Sequence, residues 1–388
     1  MRFFHRWHLS HCFYVVFCIL ITVTVALWGS LLIPRNTNAT VNDSLSVSFL
    51  RSKQTSALSL SAQSAVLIEA ESGTVIYEKN GTKRMPMAST TKIMTALVVL
   101  RSLDLNKTIK IPREACGIEG SSVYLREGEE FSVKELLYAL LLASANDAAT
   151  ALAIASCSSV EAFADRMNQM ATELGLENTH FTNPHGLHDE DHYTTARDLA
   201  AIASEASKNE VFREICSSEK TTIRRDSKES ARLLVNHNKL LRRYEGCFGI
   251  KTGFTKTSGR CLVSGAERDG LSLIAVTLNA PDDWNDHETL LDYGFSLYSK
   301  RTLAEVGELS FLLSLTGGRQ STVICANKEQ VCAVLPNDAG AIDTVFDVRR
   351  FEFAPVCAGD VIGTVYFVCD GKIVAKAEIV ALYSAEKR

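Results

Sequence analysis

Between Ala139 and Ala155 the chain is so rich in alanine and leucine that any helix it forms is apolar at every angle. A helix that is hydrophobic all round must be enclosed by other elements. This segment therefore predicts the centre of a layered domain. The run is broken once, by Ser144-Ala145-Asn146. Polar residues between two buried helices either cap the second one or serve a site. The chain has 388 residues, enough to close such a core without disulfide or metal staples. At 46% apolar and 22% charged residues it is globular in composition, not disordered, collagenous or a coiled coil. A net charge of −4 excludes a chain-wide basic surface of the kind that holds nucleic acid by counterion release.

The first 35 residues read as an address. Arg2 and Arg6 flank the stretch Cys12–Ile33, which carries no charge and is long enough to span a bilayer. The basic flank orients the N-terminus inward and the rest of the chain outward. Trp28, Leu31 and Leu32 lengthen the apolar run beyond a usual signal core, which favours an uncleaved anchor over a cleaved signal; Thr37-Asn38-Ala39 is a weak cleavage site. Residues 36–61 read as a flexible linker, since half of them are Ser, Thr or Asn.

Folding is expected over residues 62–301. Ala65–Ile68 and Thr74–Tyr77 around Glu71-Ser72-Gly73 predict a β-hairpin. Ala88–Leu103, Ser132–Ala143, Asp147–Ala155 and Val160–Leu174 predict helices, with Gly175 ending the last. Gly249–Phe254, Arg260–Ala266 and Leu271–Asn279 predict strands, Gly265–Gly270 the turn between the last two, and His287–Lys300 a closing helix. Over residues 302–388 the pattern becomes short β-type runs at 322–325, 331–334, 344–348, 361–368 and 372–380, which predict a small all-β domain. The eleven cysteines show no C-x-x-C pair or Cys/His metal spacing. Most read as small buried hydrophobes, and an extracytoplasmic address leaves room for a bond such as Cys325–Cys332.

The chemistry is carried by three short motifs. Ser89-Thr90-Thr91-Lys92 opens a predicted helix, and its three-residue spacing puts Ser89 and Lys92 on one face. A serine hydroxyl needs a base to become a nucleophile; a lysine serves if burial or a neighbouring cation lowers its pKa. The start of a helix also offers free N–H groups to a developing oxyanion. Ser144-Ala145-Asn146 and Lys251-Thr252-Gly253 follow, the last on a predicted strand where Gly253 allows close approach of another backbone. S-x-x-K alone is a weak signal, but the three in order match the serine β-lactamase and penicillin-binding-protein set.

Met85 to Thr95, Ser144 to Ala149, Phe181 to Leu187 with His192 to Leu199, and Lys251 to Thr255 resemble the D-alanyl-D-alanine carboxypeptidases, the low-molecular-mass penicillin-binding proteins. The resemblance covers residues 62–300. It extends loosely to Ala358–Gly363, which is similar to the family's appended β sandwich. It implies an α+β transpeptidase-like fold, an antiparallel sheet with helices on both faces, plus that sandwich. It also implies a carboxypeptidase that removes the last D-alanine of peptidoglycan stem peptides and is inhibited by β-lactams. Ser89 would be the nucleophile, Lys92 its base and Ser144 a proton relay. Asn146 would hold the substrate amide, and Lys251 and Thr252 its carboxylate. The N–H groups of Ser89 and Phe254 would form the oxyanion hole. No metal or organic cofactor is implied. The expected place is the outer face of a bacterial membrane, held by the N-terminal segment, or outside the cell if that segment is cleaved. Many relatives end in an amphipathic helix; this sequence stops at Ala385 to Arg388, and the N-terminal span would replace that helix.

Alternatives share the site. A D,D-endopeptidase carries the same motifs. A class A β-lactamase needs a deacylating Glu in an E-x-x-x-N loop, which neither Glu161 nor Glu173 satisfies. His180, His185, His188 and His192 lack helical metal spacing because Pro184 and Gly186 interrupt them. An inactive wall-binding protein would not need Ser89, Lys92 and Lys251 together.

Overall fold

The computed structural model describes residues 58–223 and 231–388. The span Cys12–Ile33 and most of the expected linker lie outside the described residues. Packing begins inside the segment read as linker. Leu60 is buried, and Ser61 donates from both its N–H and its hydroxyl to the Asp286 carboxylate, each at 2.8 Å.

The central sheet uses β1 (Ser64–Glu69), β2 (Val75–Lys79), β7 (Cys247–Thr255), β8 (Gly259–Arg268) and β9 (Leu271–Leu278), in the order β2-β1-β9-β8-β7 and antiparallel throughout. Between β2 and β7 lie two short ribbons, β3 (Thr108–Lys110) with β4 (Glu130–Ser132) and β5 (Lys220–Ile223) with β6 (Arg232–Val235). The helices are α1 (Lys92–Ser102), α2 (Val133–Leu141), α3 (Asn146–Cys157), α4 (Val160–Glu173), α5 (Ala196–Ser207), α6 (Glu210–Ser217), α7 (Leu240–Arg243) and α8 (Asp283–Leu297).

The period of two sorts the sheet's side chains onto two cores. Val66, Ile68, Ile274 and Val276 pack with the large helical cluster that includes α1 to α6. Ala65, Leu67, Leu273 and Ala275 face Leu290, Leu291 and Leu297 of α8. This is the expected sheet with helices on both faces. Strands such as β1 and β9 are buried at every position, so they read as continuous apolar runs. The Ala/Leu stretch behaves as its composition requires: Ala148 to Ala153 of α3 are all buried. One turn is tighter than expected. β8 runs on through Gly265 to Arg268, and only Asp269 and Gly270, with φ of 49° and 76°, make the turn. Gly265 has another use: a Cβ there would stand 2.1 Å from the Phe248 ring.

The C-terminal part is all-β, as expected, with its own core around Leu313, Leu335, Val365 and Ile379. The five expected runs appear as β12 (Thr322–Asn327), β13 (Val331–Pro336), β14 (Ile342–Val348), β16 (Val361–Cys369) and β17 (Lys372–Ala381). Three more strands were not foreseen: β10 (Tyr298–Ala304), β11 (Phe311–Thr316) and β15 (Phe351–Phe353). β10 takes over where α8 ends, runs across the expected boundary at 301/302, and pairs with β13. The other six strands form one sheet in the order β14-β16-β17-β12-β11-β15. The nine cysteines of the described residues are all free. Cys325 and Cys332 sit on β12 and β13, which belong to different sheets, so the bond considered for them is not formed. Among the described residues no helix is long and apolar enough to cross a membrane.

Candidate active site

Ser89 lies on a 3-10 turn, Ala88–Thr91, that runs directly into α1 at Lys92. The turn is entered through Ala88 at φ 47°, a left-handed value that an alanine adopts only when its surroundings require it. Ser89 is half-buried and Lys92 fully buried. The one-face spacing expected from the sequence is realised, with Lys92 Nζ 2.9 Å from Ser89 Oγ.

Lys92 has two further partners, Asn146 Oδ1 at 2.7 Å and the His185 carbonyl at 2.6 Å. Both of these atoms only accept hydrogen bonds, whereas the Ser89 hydroxyl can also donate. A neutral amine has two N–H groups and one lone pair. Its N–H groups match the two obligate acceptors, and its lone pair then faces the Ser89 proton. The electrostatics agree. Burial first, and the nearby Lys251 second, hold Lys92 well below the usual lysine range. Burial pushes Lys251 down to about 7.

Asn146 has two protein partners that the sequence did not indicate. Its Oδ1 is taken by Lys92 and its Nδ2 donates to the Glu119 carbonyl at 2.5 Å. Both ends of the amide are engaged by protein, so in this structure Asn146 positions Lys92. Nor is the polar break a cap: the cap of α3 is Ala145, with no side-chain bond. Ser144 is buried, has φ 59° and lines the cleft with Ser89. Beneath it the buried Asp147 carboxylate accepts from Ser122 Oγ at 2.6 Å and Leu125 N at 2.9 Å, which pins the loop that carries Glu119.

Lys251, Thr252, Gly253 and Phe254 lie on β7, at the edge of the sheet beside the nucleophile turn. Gly253 is where the two backbones meet. A Cβ there would be 3.1 Å from both Met87 O and Ser89 N, so the strand lies against the N–H of Ser89. Lys251 Nζ donates to the Thr252 carbonyl at 2.9 Å. Thr252, Gly253 and the exposed Phe254 line a cleft of about 800 Å³ with Ser89 and Ser144. The same cleft is lined by His237, Lys239, Arg242 and Arg260, of which Arg260 is paired with the lining Asp283 and Arg242 with Glu219, each at 2.9 Å.

The loop 181–192, which includes the family-like segment Phe181 to Leu187, backs Lys92. It supplies the His185 carbonyl to Lys92, and the Pro184 carbonyl accepts from Thr95 Oγ1 at 2.6 Å. Gly186, at φ 89°, admits the nucleophile turn: a Cβ there would be 1.9 Å from Ala88 O. His192 Nδ1 accepts the Thr182 N–H at 3.1 Å, so its Nε2 carries the proton toward Thr91 Oγ1 at 2.8 Å. Burial lowers this ring to about 4 and keeps it neutral. The backbone acceptors His185 O and Glu119 O carry no side-chain signature, and sequence reading missed both. The Pro184-His185-Gly186 turn was the available hint.

Comparison with known proteins agrees with this geometry. The profile of peptidase family S11, D-alanyl-D-alanine carboxypeptidase, matches residues 51–282. The D-alanyl-D-alanine carboxypeptidase DacF of Bacillus subtilis is 34% identical over 345 residues, covering 86% of this chain and 88% of that protein. Penicillin-binding protein 5 of Haemophilus influenzae superposes with a TM-score of 0.67 at 27% identity, over 86% of this chain and 100% of the other. The Streptomyces K15 DD-transpeptidase superposes with a TM-score of 0.60 at 35% identity, over 63% of this chain and 100% of the other. The three motifs meet at one cleft within a shared fold, and this chain belongs to the D-alanyl-D-alanine carboxypeptidase family of serine peptidases.

Proposed function

We propose that this serine-type D-Ala-D-Ala carboxypeptidase removes the terminal D-alanine of peptidoglycan stem pentapeptides through an acyl-enzyme on Ser89. The observation that carries the assignment is the buried Lys92 amine, set between two obligate acceptors with Ser89 Oγ at 2.9 Å. Ser89 Oγ attacks the carbonyl of the penultimate D-alanine as its proton passes to Lys92 Nζ. The oxyanion forms against the N–H groups of Ser89 and Phe254, each such donor being worth roughly 2.7–4 kcal/mol in related serine hydrolases. The C–N bond then breaks, and Ser144 relays a proton to the departing D-alanine amine. Lys251 and Thr252 hold the terminal carboxylate. Water attacks the ester with Lys92 again as base, and Ser89 leaves with its proton restored. A β-lactam enters the same path and stays as the ester, which makes it an inhibitor. The N-terminal span holds the enzyme at the outer face of the membrane, within reach of nascent wall.

The test is D-alanine release from an N-acylated peptide ending in D-Ala-D-Ala. The full chain releases stoichiometric D-alanine and Ser89→Ala none above background. Release by Ser89→Ala at the wild-type rate would overturn the assignment.

A further inference from the structure

The outer face of the C-terminal sheet changes character across its width. Midway along β16 and β17 the outward positions are polar, as an antiparallel sheet with one wet face requires: Thr364 lies opposite Glu378, and Tyr366 opposite Lys376. On β12, β11 and β15 the same face carries an apolar patch beside Ser314, Thr316 and Thr322. Leu312 pairs with Ile324 across β11 and β12. Phe351 and Phe353 of β15 lie beside Ser314 and Thr316 of β11, on the same face. Leu312, Ile324, Phe351 and Phe353 are 64%, 43%, 59% and 64% exposed. The inward neighbour Leu313 is fully buried, so the domain's own core does not explain these four. The two phenylalanine rings meet edge to face at 6.1 Å.

Cations border this patch. Arg350 precedes Phe351. The Lys387–Arg388 tail runs along the turn that follows Thr316, with Lys387 bridged to Gly318 and the Arg388 N–H on the Gly317 carbonyl. Arg350, Lys387 and Arg388 are exposed and form no ion pair among the described residues. Two acids close to them in sequence are already matched: Glu386 is paired with Arg319 and Glu352 with Arg349. Exposed aromatic and aliphatic side chains with an uncompensated basic border fit an apolar layer under an anionic surface.

We infer that the β11–β12–β15 face docks onto an anionic phospholipid bilayer. Phe351, Phe353, Leu312 and Ile324 enter the headgroup region, while Arg350, Lys387 and Arg388 contact phosphates. The inference rests on the reading that the N-terminal span holds the chain at a membrane, and adds a second contact at the other end of the sequence. Two contacts would fix the orientation of the molecule over the lipid surface, which a single attachment does not do.

The test uses the full chain with Phe353→p-benzoylphenylalanine, reconstituted into vesicles of phosphatidylcholine with phosphatidylglycerol. Irradiation should give a lipid adduct at position 353, several-fold weaker in pure phosphatidylcholine. It should also be several-fold weaker with Arg350→Gln, Lys387→Gln and Arg388→Gln combined, at unchanged thermal midpoint. The same probe at Glu161, on α4, should give none. A cross-linked dimer, equal adducts at both positions, or no lipid adduct would overturn the proposal. Flotation of the same samples separates the two readings. Chains that float without an adduct at 353 retain the N-terminal anchor and lose the second contact; chains that do not float lose both.

Discussion

At the scale of single residues, the site is organised around the proton that Lys92 does not carry. A lysine in water titrates near ~10.4, and at neutral pH would have no lone pair to offer. Full burial and the Lys251 charge remove that difficulty, and Asn146 and His185 fix which lobe of the nitrogen faces Ser89. Asn146→Asp tests this at nearly constant volume, with loss of the Nδ2 bond to the Glu119 carbonyl. It places a carboxylate where Oδ1 now stands, 2.7 Å from Nζ. An opposite charge at that range favours the protonated amine and raises its pKa. The acylation–pH profile should move to alkaline pH by at least about one unit, with a loss of roughly tenfold or more at pH 7. An unmoved profile would show that Asn146 does not act through Lys92. The types and spacing of Ser89, Lys92, Ser144 and Lys251 could be read from the sequence because they are side-chain chemistry. The acceptors His185 O and Glu119 O could not, because every residue has a carbonyl and only the fold decides which one is near. The bonds of Asn146 to Lys92 and to the Glu119 carbonyl were not foreseen, since spacing alone does not say which way an amide points.

At the scale of elements, the proposed oxyanion site depends on how closely β7 lies to the Ser89 turn. Gly253 sets that distance, as the 3.1 Å gaps from a notional Cβ to Met87 O and Ser89 N indicate. Gly253→Ala obliges the two backbones to part by a few tenths of an ångström. This is small beside the whole core, but large for an oxyanion site, where donor distances matter steeply. The variant should fold with a thermal midpoint within a few degrees of wild type and acylate roughly tenfold to a hundredfold more slowly. A wild-type acylation rate would remove β7 from the oxyanion site. Strong periodicity made α4 and the β1–β2 hairpin legible, and Gly175 and Glu71-Ser72-Gly73 marked their ends. β10 and β15 escaped because their partners, β13 and β11, are remote in sequence; β11 was missed although it pairs with the neighbouring β12. β10 continues from a helix with no Gly or Pro to mark the change, and β15 is three residues long. The same remoteness hid the separate sheets of Cys325 and Cys332.

At the scale of the whole molecule, the central sheet with helices on both faces keeps two lysines away from water, and this costs stability. Lys251 sits at about 7 in the folded protein and near ~10.4 when unfolded. Between those values the unfolded chain binds the additional proton, so stability rises with pH across that interval and is flat, at the lower level, below it. Lys251→Met removes the group while keeping its volume. Its thermal midpoint should exceed wild type by a few degrees at pH 7, and the gap should shrink by pH 9.5. A gap that widened with pH would contradict burial as the cause of the shift. Catalytic layers and an appended all-β part were both anticipated from the sequence. The apolar outer strip on β11, β12 and β15 was not, since β11 and β15 were themselves unseen.

The central claim is that Ser89 is the nucleophile and a neutral Lys92 its base. The most direct measurement is intact mass with peptide mapping after benzylpenicillin, taken as a second-order acylation rate against pH. One penicilloyl adduct is expected, on Ser89, absent in Ser89→Ala and nearly abolished in Lys92→Ala. The wild-type rate should climb through an apparent pKa well below that of free lysine, a value belonging to the coupled Lys92–Lys251 pair. An adduct that persists in Ser89→Ala, or acylation of Lys92→Ala at the wild-type rate, would contradict it.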